Sequence, residues 1–500
     1  MKLKPALALV LLLLIIAAPI FSHLDVIPIQ LWDEGRWAMQ SINILSSHDW
    51  LIMQYHGEPD MWMVKPPMMQ WLQAICMMLM GYNELAVRLP SALAAVGTCL
   101  MLFYLFKKSH QNNWLSLIAA TVLVTSPGYV IIHGIRTGEG DSLLTFFTTS
   151  YAIFFYLYTT REEHRNRYLG ISLALMTCAV MTKGVEGLLF APAMALFALY
   201  KRKVVYTLKQ LAFYIGIVSL VVIVVGFYMY REHYNPGYIA RVLDSEVLGR
   251  YNTVIEAHYG DAFSYTDQLA LQYYSYWYLL AIGGLIAGLC SRNIVIKDIT
   301  VFAAVFAITY LIVISSAQTQ LYWYLLPMYP FLAILCAVLL YTVCEVLLSL
   351  PTGAHLSVNV LPYLFLLMVF FAPYRAICAY VTDDHSGDMQ ADRYGMQQYM
   401  SRRLHKPETV TDSTVYLNDE HDLEWYAVAM QHAHRYAPIK TREQLQVGEK
   451  AALYSQDQRK YVDDKFNTSV LFTDKGVQLY RLNSLKTVKD TVTAKATAGH

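Results

Sequence analysis

Apolar residues gather along this chain into runs of about 17 to 25, each long enough to cross a hydrocarbon core about 30 Å thick as a helix. The runs predict about eleven spans. These are Ala6 to Phe21, Leu85 to Phe106, Trp114 to Ile132, Ser142 to Thr159, Tyr168 to Thr182, Val185 to Tyr200, Leu211 to Tyr230, Leu269 to Cys290, Ile299 to Ser315, Tyr324 to Leu348 and Val358 to Tyr380. The first run follows Lys2 and Lys4, yet its length and the lack of a small-x-small cleavage site mark it as an anchor rather than a removable signal. Polar positions collect in short loops, in one long segment from Ser22 to Glu84, and in a charged tail after Tyr380.

Lysine and arginine in short loops favour the cytoplasmic side. Lys2 and Lys4, Lys107 and Lys108, Arg161, Arg165 and Arg167, Lys201 to Lys203 with Lys209, and Arg292 with Lys297 all fall on one side of the predicted spans. That side is expected to be cytoplasmic, and an odd number of spans then places the tail outside. The loop Pro351 to Ser357 has no Lys or Arg, so the orientation of the last hairpin stays open.

Composition agrees with the pattern: 56% of the residues are hydrophobic and 15% charged, against roughly 25% charged in soluble chains. The seven cysteines lie in or near predicted spans without paired ligand spacing, so they indicate neither a disulfide framework nor a zinc knuckle. A net charge of +1 and the lack of a Gly-rich phosphate loop give no case for nucleic-acid or soluble nucleotide binding. The tail mixes strand-like and helix-like runs, Ser413 to Leu417 and Leu423 to His432, and reads as a small soluble α/β domain. From Leu485 onward Lys, Thr, Asp and Ala dominate, the composition of a disordered end.

The topology puts the unusual polar residues on one side. Asp33, Glu34 and Lys65 fall in the first external segment, Arg136, Glu139 and Asp141 in the second external loop, and Lys183 and Glu186 at the third. Glu246, Arg250 and His258 fall in the long fourth, and Gln318, Gln320 and Tyr322 in the fifth. Each has a plainer explanation. Asp33 and Glu34 suit the amino end of an interfacial helix, and Lys65-Pro66-Pro67 suits a helix start. Lys183 can snorkel to headgroups, Asp141 can cap the helix that follows, and His258 can be an ordinary surface residue. Accumulation favours a shared site. The first external segment also carries Trp32, Trp37, Trp50, Trp62 and Trp71 with Met61, Met63, Met68 and Met69, the make-up of amphipathic helices lying along a lipid interface.

The run Asp33-Glu34-Gly35-Arg36-Trp37-Ala38, followed by Gly57-Glu58-Pro59, Lys65-Pro66-Pro67 and Arg88-Leu89-Pro90-Ser91, resembles the aminoarabinose transferase-like and protein O-mannosyltransferase-like membrane glycosyltransferases of the GT-C superfamily. Thr182-Lys183-Gly184 and Tyr322-Trp323-Tyr324-Leu325-Leu326-Pro327 extend the likeness, which runs from about residue 1 to 350. The resemblance implies transfer of a sugar from a polyprenyl-phosphate carrier to an extracytoplasmic acceptor, with inversion at the anomeric carbon. It implies that Asp33, with Glu34 and Asp141, belongs to the catalytic set, and that Lys65, Arg250, Tyr324 and Lys183 hold the donor phosphate. Two departures bear on metal binding. Val64 stands where the family often has Glu, and Ser245 where a histidine can precede the later Glu. No cofactor or metal site is therefore expected, and a divalent metal is in doubt. Gln320, where a lysine is usual, leaves donor and acceptor details open.

The expected fold class is an α-helical polytopic membrane protein: a GT-C-like bundle of about eleven transmembrane helices, with interfacial helices after the first span and a small C-terminal soluble α/β domain. The expected domains are 1–380 for the bundle, 381–484 for the soluble domain and 485–500 for the tail. The expected partners are a polyprenyl-phosphate-linked sugar, a glycolipid (lipid A among them), glycan or protein acceptor, and the bilayer of a bacterial inner membrane. The alternative is a transporter or flippase of a lipid-linked glycan, which calls for charges near mid-membrane or broken helices; the predicted span centres are almost free of charge.

Overall fold

The computed structural model describes residues 3–30, 33–55, 57–110, 112–131, 133–249, 260–261, 263–350, 360–383, 391–405, 414–417, 421–432, 438–474 and 476–486. The chain forms two compact units. Met1–Ser22, Asp49–Leu72 and Arg88–Thr382 make one, and His23–His48, Gln73–Val87 and Asp383–His500 make the other.

The first unit is helical, and the protein is a polytopic helical membrane protein. Among the described residues six helices are long and apolar enough to cross a bilayer: Glu84–Ser109, Arg165–Leu188, Leu211–Tyr234, Ile294–Ser315, Tyr322–Ser349 and Leu361–Thr382. Shorter apolar helices include Pro5–Phe21, Asn113–Val124, Ala191–Tyr200 and Tyr278–Leu289. Helix starts follow local chemistry. Asn293 accepts from the amides of Val295 and Ile296, and Asn112 from that of Trp114, satisfying donors that a first turn leaves unpaired. The Ser- and Thr-rich helix Asp141–Thr160 is largely buried. It packs along Arg165–Lys183, where Ser172 Oγ donates to the Tyr151 carbonyl at 2.8 Å. Small residues permit close approach elsewhere: a Cβ on Gly284 would stand 1.9 Å from the Leu335 carbonyl oxygen, so these two helices meet backbone to backbone.

Two predicted spans are interrupted. The stretch from Val185 begins as a 3-10 turn, Gly184–Leu188, and becomes α-helical only at Ala191–Tyr200. Gly184, at φ 59° and ψ −131°, ends the preceding helix, and Pro192 in the first turn restarts it. The stretch from Leu269 opens with a π-turn over Leu269–Tyr273, and its regular helix is Tyr278–Leu289.

In the second unit a five-stranded mixed sheet is ordered Ile439–Lys440, Thr414–Leu417, Lys450–Leu453, Val477–Leu485, Phe466–Asp474. The first three strands are parallel and the last two pair antiparallel. Thr414–Leu417 is buried at all four positions, as an inner parallel strand covered on both faces should be. Val415, Leu417, Leu453, Val462, Phe466 and Leu482 form the core. The last strand runs through Leu485, which pairs with Phe466; residues 487–500 of the expected tail lie outside the described residues. Helix His421–His432 packs on Asp33–Ser47, so the unit that contains the sheet also takes in part of the first polar segment.

Candidate active site

Four charged side chains from three parts of the first unit form a chain of alternating sign. Asp141 opens the helix Asp141–Thr160. The loop before it is tied to helix Glu84–Ser109, because Ser91 Oγ donates to the Glu139 carbonyl at 3.1 Å and Ser142 Oγ to the Ser91 carbonyl at 2.7 Å. Lys183 closes the helix Arg165–Lys183, and its Nζ lies 2.7 Å from Asp141 Oδ1 and 3.3 Å from Glu186 Oε2. Lys65 Nζ reaches the other oxygen of Glu186 at 3.5 Å. Lys183 and Asp141 are 3% and 4% exposed, Lys65 and Glu186 12% and 17%. Charges so far from water persist only when paired, and the alternation supplies the pairing. The Tyr324 ring lies 5.7 Å from Lys183 Nζ, and its carbonyl accepts from Tyr310 Oη at 2.9 Å.

The turn that carries Lys65 is tied down at two backbone carbonyls. Arg231 donates to the Asp60 carbonyl at 3.1 Å, and Tyr238 Oη donates to the Met63 carbonyl at 2.9 Å. The Arg231 guanidinium stands 4.3 Å from the centre of the Tyr238 ring, a cation–π arrangement. Burial pushes the Tyr238 phenol up to about 12, with Arg231 opposing the shift, so it remains a neutral donor to the turn. Pro66 and Pro67 fix φ on the far side of Lys65. Pro66 Cδ would lie 4.0 Å from a Cβ on Gly184, so the Lys65 turn seats against the residue that ends the Lys183 helix.

The structure thus brings together five of the residues singled out from sequence, Lys65, Asp141, Lys183, Glu186 and Tyr324, with Glu186 as the bridge between the two lysines. Asp33 and Glu34 belong to the other unit, in the first turn of helix Asp33–Ser47. Asp33 is half-buried. Glu34 is fully buried, and its Oε2 accepts from the Gln30 amide at 2.6 Å. Arg250 and His258 lie outside the described residues; Glu246 is close enough to act electrostatically on Tyr238. Gln320 donates through Nε2 to the carbonyls of Asp261, Ser315 and Ala317, which gives it a part in shaping its loop. Arg136 donates to the carbonyls of Ser22, Pro19 and Val381, capping the ends of two helices. Burial and the nearby Arg88 push its guanidinium down to about 10.

Reading the sequence missed Arg231 and Tyr238 as holders of the Lys65 turn, and missed His133. The last adopts φ 64°, places Nδ1 2.6 Å from Glu139 Oε2 and stacks on Trp323 with ring centres 4.1 Å apart. Among the described residues no group of three His, Cys, Asp or Glu is placed to hold a metal ion. At the two departures from the family pattern, Val64 is apolar and buried, and Ser245 Oγ donates to the Arg241 carbonyl at 2.8 Å.

The fold is that of the GT-C class of membrane proteins, as the solved structures it superposes on show. The structure superposes on ArnT from Cupriavidus metallidurans bound to undecaprenyl phosphate with a TM-score of 0.68 at 17% identity, covering 94% of this chain and 97% of that one. It superposes on the oligosaccharyltransferase AglB from Archaeoglobus fulgidus, in complex with an inhibitory peptide and a dolichol-phosphate, with a TM-score of 0.55 at 11% identity, covering 95% and 74%. The family model described as dolichyl-phosphate-mannose-protein mannosyltransferase matches residues 64–230, the stretch that holds Lys65, Asp141 and Lys183. In sequence the chain is 27% identical over 199 residues to an uncharacterized protein of Aquifex aeolicus, 40% of this chain and 38% of that one. It is 26% identical over 222 residues to the undecaprenyl phosphate-alpha-4-amino-4-deoxy-L-arabinose arabinosyl transferase of Shewanella sediminis, 42% of this chain and 39% of that one. The chain therefore spans less than half the length of these relatives. It has the GT-C fold and resembles the aminoarabinose transferase-like glycosyltransferases, as its Asp33 and Lys65 motifs anticipate.

Proposed function

We propose that this protein is an integral membrane glycosyltransferase that moves a sugar from a polyprenyl-phosphate donor to an acceptor on the extracytoplasmic face of a bacterial inner membrane. The observation that supports it most is the state of Lys65. Its ammonium has three protons to donate, sits on a turn held by Arg231 and Tyr238 and meets Glu186 at 3.5 Å. That is longer than the roughly 2.7–2.9 Å of a strong charge-assisted hydrogen bond, so a phosphate oxygen can take Lys65 over at small cost. Lys183, bound more tightly to Asp141, stays behind it as a fixed positive charge facing Tyr324.

In this reading the bond between the anomeric carbon and the carrier phosphate oxygen breaks as the acceptor oxygen attacks from the opposite face, which inverts the centre. The leaving polyprenyl phosphate gains negative charge, and Lys65 with Arg250 stabilises it most as the bond breaks. Asp33, with Glu34 bracing its turn, takes the proton of an acceptor hydroxyl; where the acceptor is itself a phosphate, as in lipid A, no proton needs to move and Asp33 orients the sugar. Asp141 holds Lys183 in place. The donor linkage supplies the driving force, so neither ATP nor a soluble nucleotide sugar takes part.

Mass spectrometry of lipid A, other envelope glycolipids and envelope proteins, from cells with and without the gene, tests the proposal. Loss of one sugar from one acceptor, with the lipid-linked donor accumulating on the outer leaflet, supports transfer and names both substrates. Accumulation confined to the cytoplasmic leaflet favours a flippase.

A further inference from the structure

Ile29 has both of its backbone polar groups held by side chains nearly four hundred residues away. Its N–H donates to Tyr426 Oη at 3.0 Å, and its carbonyl accepts from Gln397 Nε2 at 3.0 Å. Ile29 is fully buried, so neither group has water as a substitute partner. The tyrosine is itself fixed: it is fully buried, and its hydroxyl donates to Glu84 Oε1 at 2.8 Å. With one proton given to Glu84 and a lone pair taken by Ile29, the hydroxyl has little freedom to rotate. Glu84, fully buried, also accepts from Ser401 Oγ at 2.6 Å and meets His405 Nε2 at 2.8 Å. All of these residues belong to the second compact unit.

Four residues beyond Ile29 stands Asp33, and Gln30, next to Ile29, is bonded to the two residues that follow Asp33. Glu34 Oε2 takes the Gln30 amide at 2.6 Å, and the Gly35 amide donates to the Gln30 carbonyl at 3.2 Å. These bonds tie the backbone beside Ile29 to the first turn of the helix that carries Asp33. We infer that Tyr426 and Gln397 are positioning residues for Asp33: the C-terminal segment, through the backbone of Ile29, sets where that carboxylate stands. This inference rests on the proposed catalytic role of Asp33. It gives the C-terminal region a part in the reaction itself.

The test uses the full chain in lipid nanodiscs with the donor and acceptor identified by the lipid comparison. Tyr426→Phe keeps the ring and removes only the hydroxyl; Gln397→Met keeps the shape and removes the donor. Each is expected to lower kcat about 10- to 100-fold, the scale on which small misplacements of a catalytic group act. The KM for the polyprenyl-phosphate donor should be unchanged, because its proposed ligand Lys65 lies in the other unit. Leu453→Ala is the control: it opens a hole in the buried core of the C-terminal sheet without touching Ile29. It should lower the yield of folded protein and leave kcat per folded molecule intact. If both contact variants keep wild-type kcat while Asp33→Asn abolishes turnover, or if they match Leu453→Ala in every readout, the positioning inference is overturned and the proposed function stands. If Asp33→Asn itself keeps turnover, the catalytic reading of Asp33 fails and the inference falls with it.

Discussion

Lys183 Nζ lies 2.7 Å from Asp141 Oδ1, with only 3% and 4% of the two side chains exposed. The pair joins the end of one helix to the start of its neighbour. Burying both charges costs roughly as much as their attraction returns, so the pair is poorly explained as a source of stability. It is better explained as a fixed positive centre next to the Tyr324 ring, with Glu186 and Lys65 continuing the charge alternation outward.

Lys183→Met leaves Asp141 buried without its nearest cation, a change expected to cost about 3–5 kcal/mol. The double variant Asp141→Asn/Lys183→Met removes both charges and should recover most of that loss while remaining inactive. Thermal unfolding in detergent, run beside a turnover assay, checks both halves. A Lys183→Met protein as stable as wild type would contradict the coupling.

Gly184→Ala forces a side chain onto a backbone at φ 59° and ψ −131°, and the new Cβ meets Tyr228 Oη at 3.2 Å. The strain is about 1–3 kcal/mol, and relieving it shifts the turn that seats Pro66. The donor KM should rise more than kcat falls, as steady-state kinetics at varied donor concentration would reveal.

Arg231→Lys keeps the charge but loses the planar group that both stacks on Tyr238 and reaches the Asp60 carbonyl. The two groups are not interchangeable at a stacked site. Donor affinity should weaken by about tenfold, equivalent to about 1.4 kcal/mol, measured by titrating polyprenyl phosphate against intrinsic tryptophan fluorescence, with Trp62 as the nearby reporter.

Partial desolvation holds the His432 imidazole, though still exposed, below its ordinary value of 6.5, and its ring stacks on Tyr82 at 5.0 Å between centres. The folded chain thus prefers the neutral ring, and the unfolded chain binds a proton first as pH falls. The stability tied to this preference is fully present above pH 6.5 and is lost as pH drops through the lower folded value. His432→Phe keeps a stacking ring and cannot titrate. Between about pH 7 and about pH 5 the wild-type Tm should fall further than that of the variant.

The membrane-spanning character was legible because hydrocarbon tolerates few sequences: a long apolar run between polar loops has little choice but a helix. Lys65, Asp141, Lys183 and Tyr324 could be grouped by counting spans, since each stands at the edge of an apolar run on the same predicted side. Glu186 could be placed beside Lys183 on that side, but its bridging of Lys183 to Lys65 could not be read, because its direction depends on the 3-10 turn Gly184–Leu188, and nothing in the apolar pattern separates that turn from the start of a span. Arg231 and Tyr238 were hidden for a different reason. They act on backbone carbonyls at Asp60 and Met63, which carry no sequence signature. The hold of Tyr426 and Gln397 on Ile29 joins residues almost a chain length apart, where neither periodicity nor composition reports a contact.

The most direct measurement is release of free polyprenyl phosphate by purified protein in nanodiscs, supplied with the labelled donor and its acceptor and no ATP. The account predicts one polyprenyl phosphate released per sugar transferred, with inverted anomeric configuration in the product, and none from Asp33→Asn or without acceptor. Movement of intact donor between leaflets, with the sugar–phosphate bond unbroken, would contradict it.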